Sequence, residues 1–250
     1  MVFIAEKIPY QDFFLPGLAE ALALAPGGLI AIVGGGGKTS LMYALAEEAR
    51  AQGRRALIST TTHIRPPEAY PLIKGDPALA AAAWARGEIP CAALPGPEGR
   101  LTGPGEAALA RLKALAEWLI VEADGSKGLP MKAPAAWEPV LPAGWDKLVA
   151  VAGLSALGQP LNQVCHRPEL AAPLLGVGQT ALVTPELMAG LLLSPAGQMK
   201  GADTEERYRI LLNQADAADP GPLLAILKAR APEVPVAAVS LRQRRLVYPA

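Results

Sequence analysis

Val33-Gly34-Gly35-Gly36-Gly37-Lys38-Thr39-Ser40 is the stretch whose reading decides the fold of this chain. Just before it, residues 28–33 read GLIAIV, a continuous apolar run of the kind that fills a strand buried on both faces. Just after it, residues 39–52 place Leu41, Ala44, Leu45 and Ala49 on one side of a helix that Gly53 stops. The unit recurs along the chain. Strands are predicted at 56–59, 118–121, 147–152, 209–212 and 234–239, with a short one at 180–183. Helices are predicted at 78–86, 105–117 and 220–231. Strands alternating with helices imply crossover connections, hence an α/β fold: a mainly parallel sheet flanked by helices. Residues 89–102 read as a hairpin or a loop, and 161–178, punctuated by Pro and Gly, as an excursion over the active face. Neither has the composition of a linker, so residues 1–250 are expected to form a single domain.

Three readings of the glycine-rich turn compete. In a phosphate-binding P-loop, glycines let successive N–H groups converge on one anion at a helix N-terminus. Gly34, Gly35, Gly36 and Gly37 would then cradle phosphate with Ser40, Lys38 would offset its charge, and the Thr39 hydroxyl would hold Mg²⁺. The usual first glycine of GxxxxGK[ST] falls on Ile32, so the loop is shortened, similar to the GTxGKT motif of cell-wall peptide ligases. A Rossmann loop fails at its third glycine, where Thr39 stands, and lacks the acid after the second strand. A purely structural turn needs one or two glycines, not four, and Lys38 at a helix N-terminus opposes the helix dipole unless an anion is near. The P-loop reading is favoured.

Ligands of open parallel sheets lie at the carboxyl ends of the strands. There the second strand delivers Thr60-Thr61-Thr62-His63, with Thr61 a candidate for the attacking water. The third delivers Glu122 and Asp124, two apart and so on one side of an extended chain. An apolar strand handing an acid to the metal is the Walker-B arrangement, and both are candidates for metal binding and catalysis. Lys127 and Lys132 follow in a Gly/Pro-rich loop, as phosphate clamps or as solvated lysines. A later strand ends Asn213-Gln214-Ala215-Asp216, an NxxD that resembles the guanine-reading element of GTPases, with Gln214 where Lys is usual. Cys165-His166-Arg167-Pro168-Glu169 reads equally as a substrate loop or as capping of the next helix.

Composition bounds the rest. Apolar residues are 51% and charged residues 18%, which excludes charge-rich disorder. With 25 Gly and 25 Pro, short elements joined by sharp turns are expected rather than a helical bundle. The net charge is zero and no Lys/Arg run exceeds two residues, so neither nucleic acid nor a membrane surface is an expected partner. The apolar opening stops at Glu6 and Lys7, too early for a signal peptide, and no uncharged run reaches the ~18 residues of a span. A cytoplasmic location follows as the expectation. Cys91 and Cys165 form no CxxC and read as reduced, buried thiols.

Taken in order, GGGGKTS, TTTHI, VEADGSKGLPMKAP with WEPVLP, HRPE and LLNQAD resemble the YqeC-type accessory proteins of selenium-dependent molybdenum hydroxylases. VEADGSKG is the most specific part, and the chain departs from the pattern at His63 and Gln214, each often Lys. The resemblance implies a P-loop nucleoside triphosphatase that assists selenium insertion or molybdenum cofactor maturation, with the hydroxylase or its maturation proteins as partners. The expected function is Mg²⁺-dependent binding and slow hydrolysis of GTP or ATP. The alternatives are a small-molecule kinase or ligase of the P-loop class, and a nucleotide-gated binding module without turnover.

Overall fold

The computed structural model describes residues 13–249. The opening apolar run, read above against a signal peptide, lies outside the described residues. A short helix, α1 (Leu18–Ala21), precedes the unit that opened the sequence: β1 (Gly28–Gly34) and α2 (Lys38–Ala51). Next come β2 (Ala56–Thr60), β3 (His63–Ile64), α3 (Pro77–Ala85), β4 (Cys91–Ala92), β5 (Leu94–Pro95), β6 (Leu101–Thr102) and α4 (Glu106–Lys113). The middle of the chain holds β7 (Trp118–Glu122), β8 (Met131–Lys132), β9 (Lys147–Gly153), α5 (Leu161–Val164), β10 (Cys165–His166), α6 (Pro168–Leu175) and α7 (Pro185–Leu193). It closes with β11 (Tyr208–Asn213), α8 (Gly221–Arg230), β12 (Val236–Ser240) and β13 (Arg245–Tyr248).

Among the described residues, eight strands form one sheet in the order β13-β12-β11-β9-β1-β7-β2-β4. Every neighbouring pair is parallel except β12–β13. The continuous apolar runs are explained by cover on both faces. Along β1, Ile30 and Ile32 belong to the same apolar cluster as Leu41, Met42 and Leu45 of α2, while Ala31 and Val33 belong to a second one with Met188 of α7 and Leu223 of α8. β1 thus lies at the centre of the sheet, and its carboxyl end, where the glycines begin, is surrounded by β7, β9 and β11.

The structure differs from the sequence expectation at several places, and the helix expected at 105–117 is the shorter α4, Glu106–Lys113. Residues 180–183 make only an isolated bridge, Leu182 to Pro160, because Thr184 caps α7 immediately after them. Residues 89–102 divide: β4 extends the main sheet, and β5 pairs with β6 as an antiparallel hairpin that β3 joins. The 161–178 excursion is ordered structure, α5, β10 and α6, and β10 pairs with β8. Among the described residues no helix is long and apolar enough to cross a membrane.

Candidate functional site: the loop between β1 and α2

The glycines are required sterically. A Cβ on Gly34 would lie 2.2 Å from Val151 O, on Gly35 2.5 Å from Leu129 O, on Gly36 2.4 Å from Gly153 N, and on Gly37 2.4 Å from Asn213 Nδ2. Gly34, Gly36 and Gly37 also have φ of +99°, +82° and +126°, which side chains rarely adopt. The loop is therefore gripped from three sides, by the 129–131 segment, the end of β9 and the end of β11.

That grip consumes donors. Gly34 N–H donates to Asp124 Oδ2 at 3.1 Å, Gly35 N–H to Val151 O at 2.9 Å and Gly36 N–H to Leu129 O at 3.0 Å. The expectation that Gly34, Gly35 and Gly36 present N–H groups to phosphate is corrected in this respect: they shape the loop, and their N–H groups bond protein oxygens. The N–H groups without an intrahelical acceptor are those at the start of α2, at Gly37, Lys38, Thr39 and Ser40. No side chain caps that helix, and no acid sits in its first turn. An uncapped helix N-terminus with a lysine in its first turn is built to receive an anion.

β7 delivers the carboxylates beside this terminus. Lys38 Nζ donates to Gly34 O at 2.7 Å and lies 3.3 Å from Asp124 Oδ1 and 3.9 Å from Glu122 Oε1. Thr39 Oγ1 donates to Glu122 Oε2 at 2.6 Å. Lys38, Glu122 and Asp124 are all buried. Burial pushes the Glu122 carboxyl above the usual range, Asp124 adds to that, and Lys38 and Thr39 oppose it. Asp124 Oδ1 is buried with no hydrogen-bond partner. Among the described residues no cluster of three His, Cys, Asp or Glu side chains could hold a metal by itself. The Thr39 hydroxyl and the Glu122 and Asp124 carboxylates nevertheless form an all-oxygen donor set, of the kind that suits Mg²⁺ when phosphate completes the shell.

The other candidates spread around this centre. Thr61 N–H bonds Glu122 O at 3.0 Å, but its hydroxyl donates to Val140 O at 2.6 Å, away from the carboxylates. Asn213 braces the loop: Nδ2 donates to Gly36 O at 2.7 Å and Oδ1 accepts from Leu241 N–H at 3.1 Å. Its amide is thereby committed to the protein rather than to a base. Asp216 is exposed, with Oδ1 accepting from Ser240 Oγ at 2.6 Å. His63 is exposed on β3. The Cys165 and Cys91 thiols are buried and pushed up to about 12 by burial.

Lys132, expected as a phosphate clamp or a solvated lysine, is in fact buried. It lies 3.1 Å from Asp124 Oδ2 and 3.0 Å from Glu138 Oε2. Burial acts to raise the Glu138 pKa, but the Ala135 N–H, Lys132 and Arg167 outweigh it and hold the carboxyl below the usual range. Arg167 Nη1 donates to Glu138 Oε2 at 2.6 Å. The available signal was Lys132 set between the apolar Met131 and Ala133, with Glu138 six residues on.

Comparison with known proteins places this geometry in context. The model of the YqeC protein family matches residues 30–169. The YqeC protein of Escherichia coli (strain K12), itself uncharacterized, is 34% identical over 188 residues, covering 69% of this chain and 70% of that protein. Among solved structures, the hydrogenase maturation factor HypB from Archaeoglobus fulgidus aligns over 94% of this chain and 87% of its own, at 14% identity and a TM-score of 0.40. That last likeness is too distant to bear on function.

Proposed function

The chain belongs to the YqeC family, and from that membership and the geometry at β1 and α2 we propose that it binds a nucleoside triphosphate with Mg²⁺ and hydrolyses it slowly. The observation that carries the reading is Lys38, in the first turn of an uncapped helix, facing two buried carboxylates and the Thr39 hydroxyl. A triphosphate gives the N–H groups of residues 37–40 their acceptors and gives Lys38 a stronger partner than Gly34 O. Thr39, Glu122 and Asp124 would hold Mg²⁺. When bound, the ion neutralises charge on the transferred phosphoryl group. Glu122 and Asp124 would also orient the attacking water, and Thr61 is the weaker candidate because its hydroxyl donates to Val140 O.

For the base we infer guanine. Asn213 fixes the end of β11 to the phosphate loop, and Ser240 holds one oxygen of Asp216. That bond leaves each Asp216 oxygen an acceptor site, so the two oxygens would accept from guanine N1–H and the exocyclic amine, donors that adenine lacks on that edge. The accessory role in selenium-dependent molybdenum hydroxylase maturation is what the family resemblance implies, and it makes the hydroxylase or its maturation proteins the client. A second reading, phosphoryl transfer to a small acceptor, is favoured by a cleft of about 160 Å³ lined by Thr60, Thr61, Thr102, Glu106 and Val140, one strand from Glu122.

Competition binding of GTP and ATP with Mg²⁺ tests the base, and phosphate release without acceptor tests hydrolysis. The expected results are tighter GTP binding, lost in Asp216→Asn, and slow release dependent on Glu122 and Asp124. Equal affinity for both nucleotides in the wild type would sink the guanine assignment. Absence of any nucleotide binding would sink the function.

A further inference from the structure

Two lysines face one carboxylate. Lys38 reaches Asp124 Oδ1 from the loop without a hydrogen bond. Lys132 reaches Asp124 Oδ2 from the opposite side, and its side chain has no solvent exposure. The Lys132 ammonium donates a hydrogen bond to Gly125 O at 2.6 Å and forms ion pairs with Asp124 Oδ2 at 3.1 Å and Glu138 Oε2 at 3.0 Å. With these three oxygens around it and no solvent exposure, it is not placed to receive phosphate.

The position of Lys132 is set from several directions. β8 pairs with β10, matching Lys132 to His166, and the Gln198 side chain donates to Lys132 O. Glu138 is held in turn by the Ala135 N–H at 3.1 Å and by Arg167. Lys38 is held by one hydrogen bond, to Gly34 O, and by its ion pairs with Asp124 and Glu122, and on the nucleotide reading it leaves the carboxylates for phosphate. Without either lysine, Asp124 would keep only the Gly34 N–H on Oδ2 until a metal binds, and a buried carboxylate without counter-charge is costly.

We propose that Lys132 is a positioning residue of the nucleotide site: it keeps Asp124 Oδ2 paired throughout, so that Oδ1 stays aimed at the metal when Lys38 moves to phosphate. This rests on the nucleotide reading given above. Lys132 touches neither nucleotide nor metal; it acts through Asp124, and Glu138 and Arg167 hold it in place.

The test is the pair Lys132→Met with Glu138→Gln, which removes one positive and one negative charge together and leaves the Ala135 N–H an acceptor. Nucleotide affinity in EDTA and the Mg²⁺ concentration that half-saturates the GTP complex are both read by calorimetry. Unchanged affinity in EDTA with about a tenfold or greater rise in the Mg²⁺ midpoint supports the proposal, the size expected for removal of a residue that orients a metal ligand. An unchanged midpoint, or equal loss of both quantities, overturns it. Should the variant fail to fold, the wild type with Mg²⁺ and a non-hydrolysable GTP analogue decides by crystallography. Lys132 still on Asp124 with Lys38 on phosphate supports the proposal, and Lys132 displaced overturns it. Lys38 still on the carboxylates instead counts against the nucleotide reading itself.

Discussion

Asn213→Ala separates a brace from a base reader. The side chain ties Gly36 O to Leu241 N–H, both in the interior, through bonds of 2.7 and 3.1 Å. Alanine removes both partners and leaves a buried carbonyl and a buried N–H unsatisfied. Each such loss costs about 1–3 kcal/mol. A combined cost of about 3 kcal/mol, at 2–4 °C per kcal/mol for a chain of this length, lowers the melting temperature by roughly 6–12 °C. Because the brace shapes the loop that receives phosphate, GTP and ATP affinity should fall together, by similar factors. Thermal melting followed by circular dichroism, with calorimetric titration of both nucleotides at a temperature where the variant is folded, reads the two effects. A melting temperature unchanged from wild type would show that these bonds do not hold the loop. A fall confined to GTP would make Asn213 a base contact.

Gly36→Ala should be more damaging than Gly53→Ala on both expression and melting, since a Cβ on Gly36 meets Gly153 N at 2.4 Å whereas one on Gly53 meets nothing within 4 Å, and both have positive φ. Equal melting temperatures would refute the steric account of the loop. The Glu138 pKa is depressed in the fold, so the folded protein binds fewer protons than the unfolded chain below its usual value of 4.5. That stability is present above pH 4.5 and is lost as pH falls through the folded value; Glu138→Gln should flatten this acid limb in urea melts, and an unchanged limb would contradict the ion network. Cys91 and Cys165 are free and buried, with pKa values pushed up to about 12, so a thiol reagent at pH 8 should label neither in the native protein and both after denaturation. Native labelling would place a thiol at the surface.

The centre of the fold was legible because its signals are local and strong. GLIAIV can hardly be anything but a doubly covered strand, and GGGGKTS states both the turn and the helix start. Glu122 and Asp124 were found by their place after an apolar strand, and the structure brings both to Lys38. α7 went unseen because PELMAGLLL is apolar nearly all round and lacks a helical stripe; its real signals are Thr184 as cap and Pro185 in the first turn. β13 was hidden because RLVY follows a basic turn and pairs antiparallel at the sheet edge. The commitment of the Gly36 N–H group to Leu129 O, and the burial of Lys132, depend on how segment 126–132 folds over the loop. Its turn runs through positive φ at Lys127 and Gly128, and no periodicity announces such a contact.

The central claim is that the start of α2 receives a triphosphate, and titration calorimetry of Mg²⁺·GTP into wild type and Lys38→Ala tests it most directly. The account predicts saturable binding by the wild type. It predicts affinity weaker by about 10–150-fold in the variant, from the loss of a charge-assisted contact of about 1.5–3 kcal/mol, with the native fold retained by circular dichroism. Equal affinity in the two proteins, or no heat of binding to either, would contradict it.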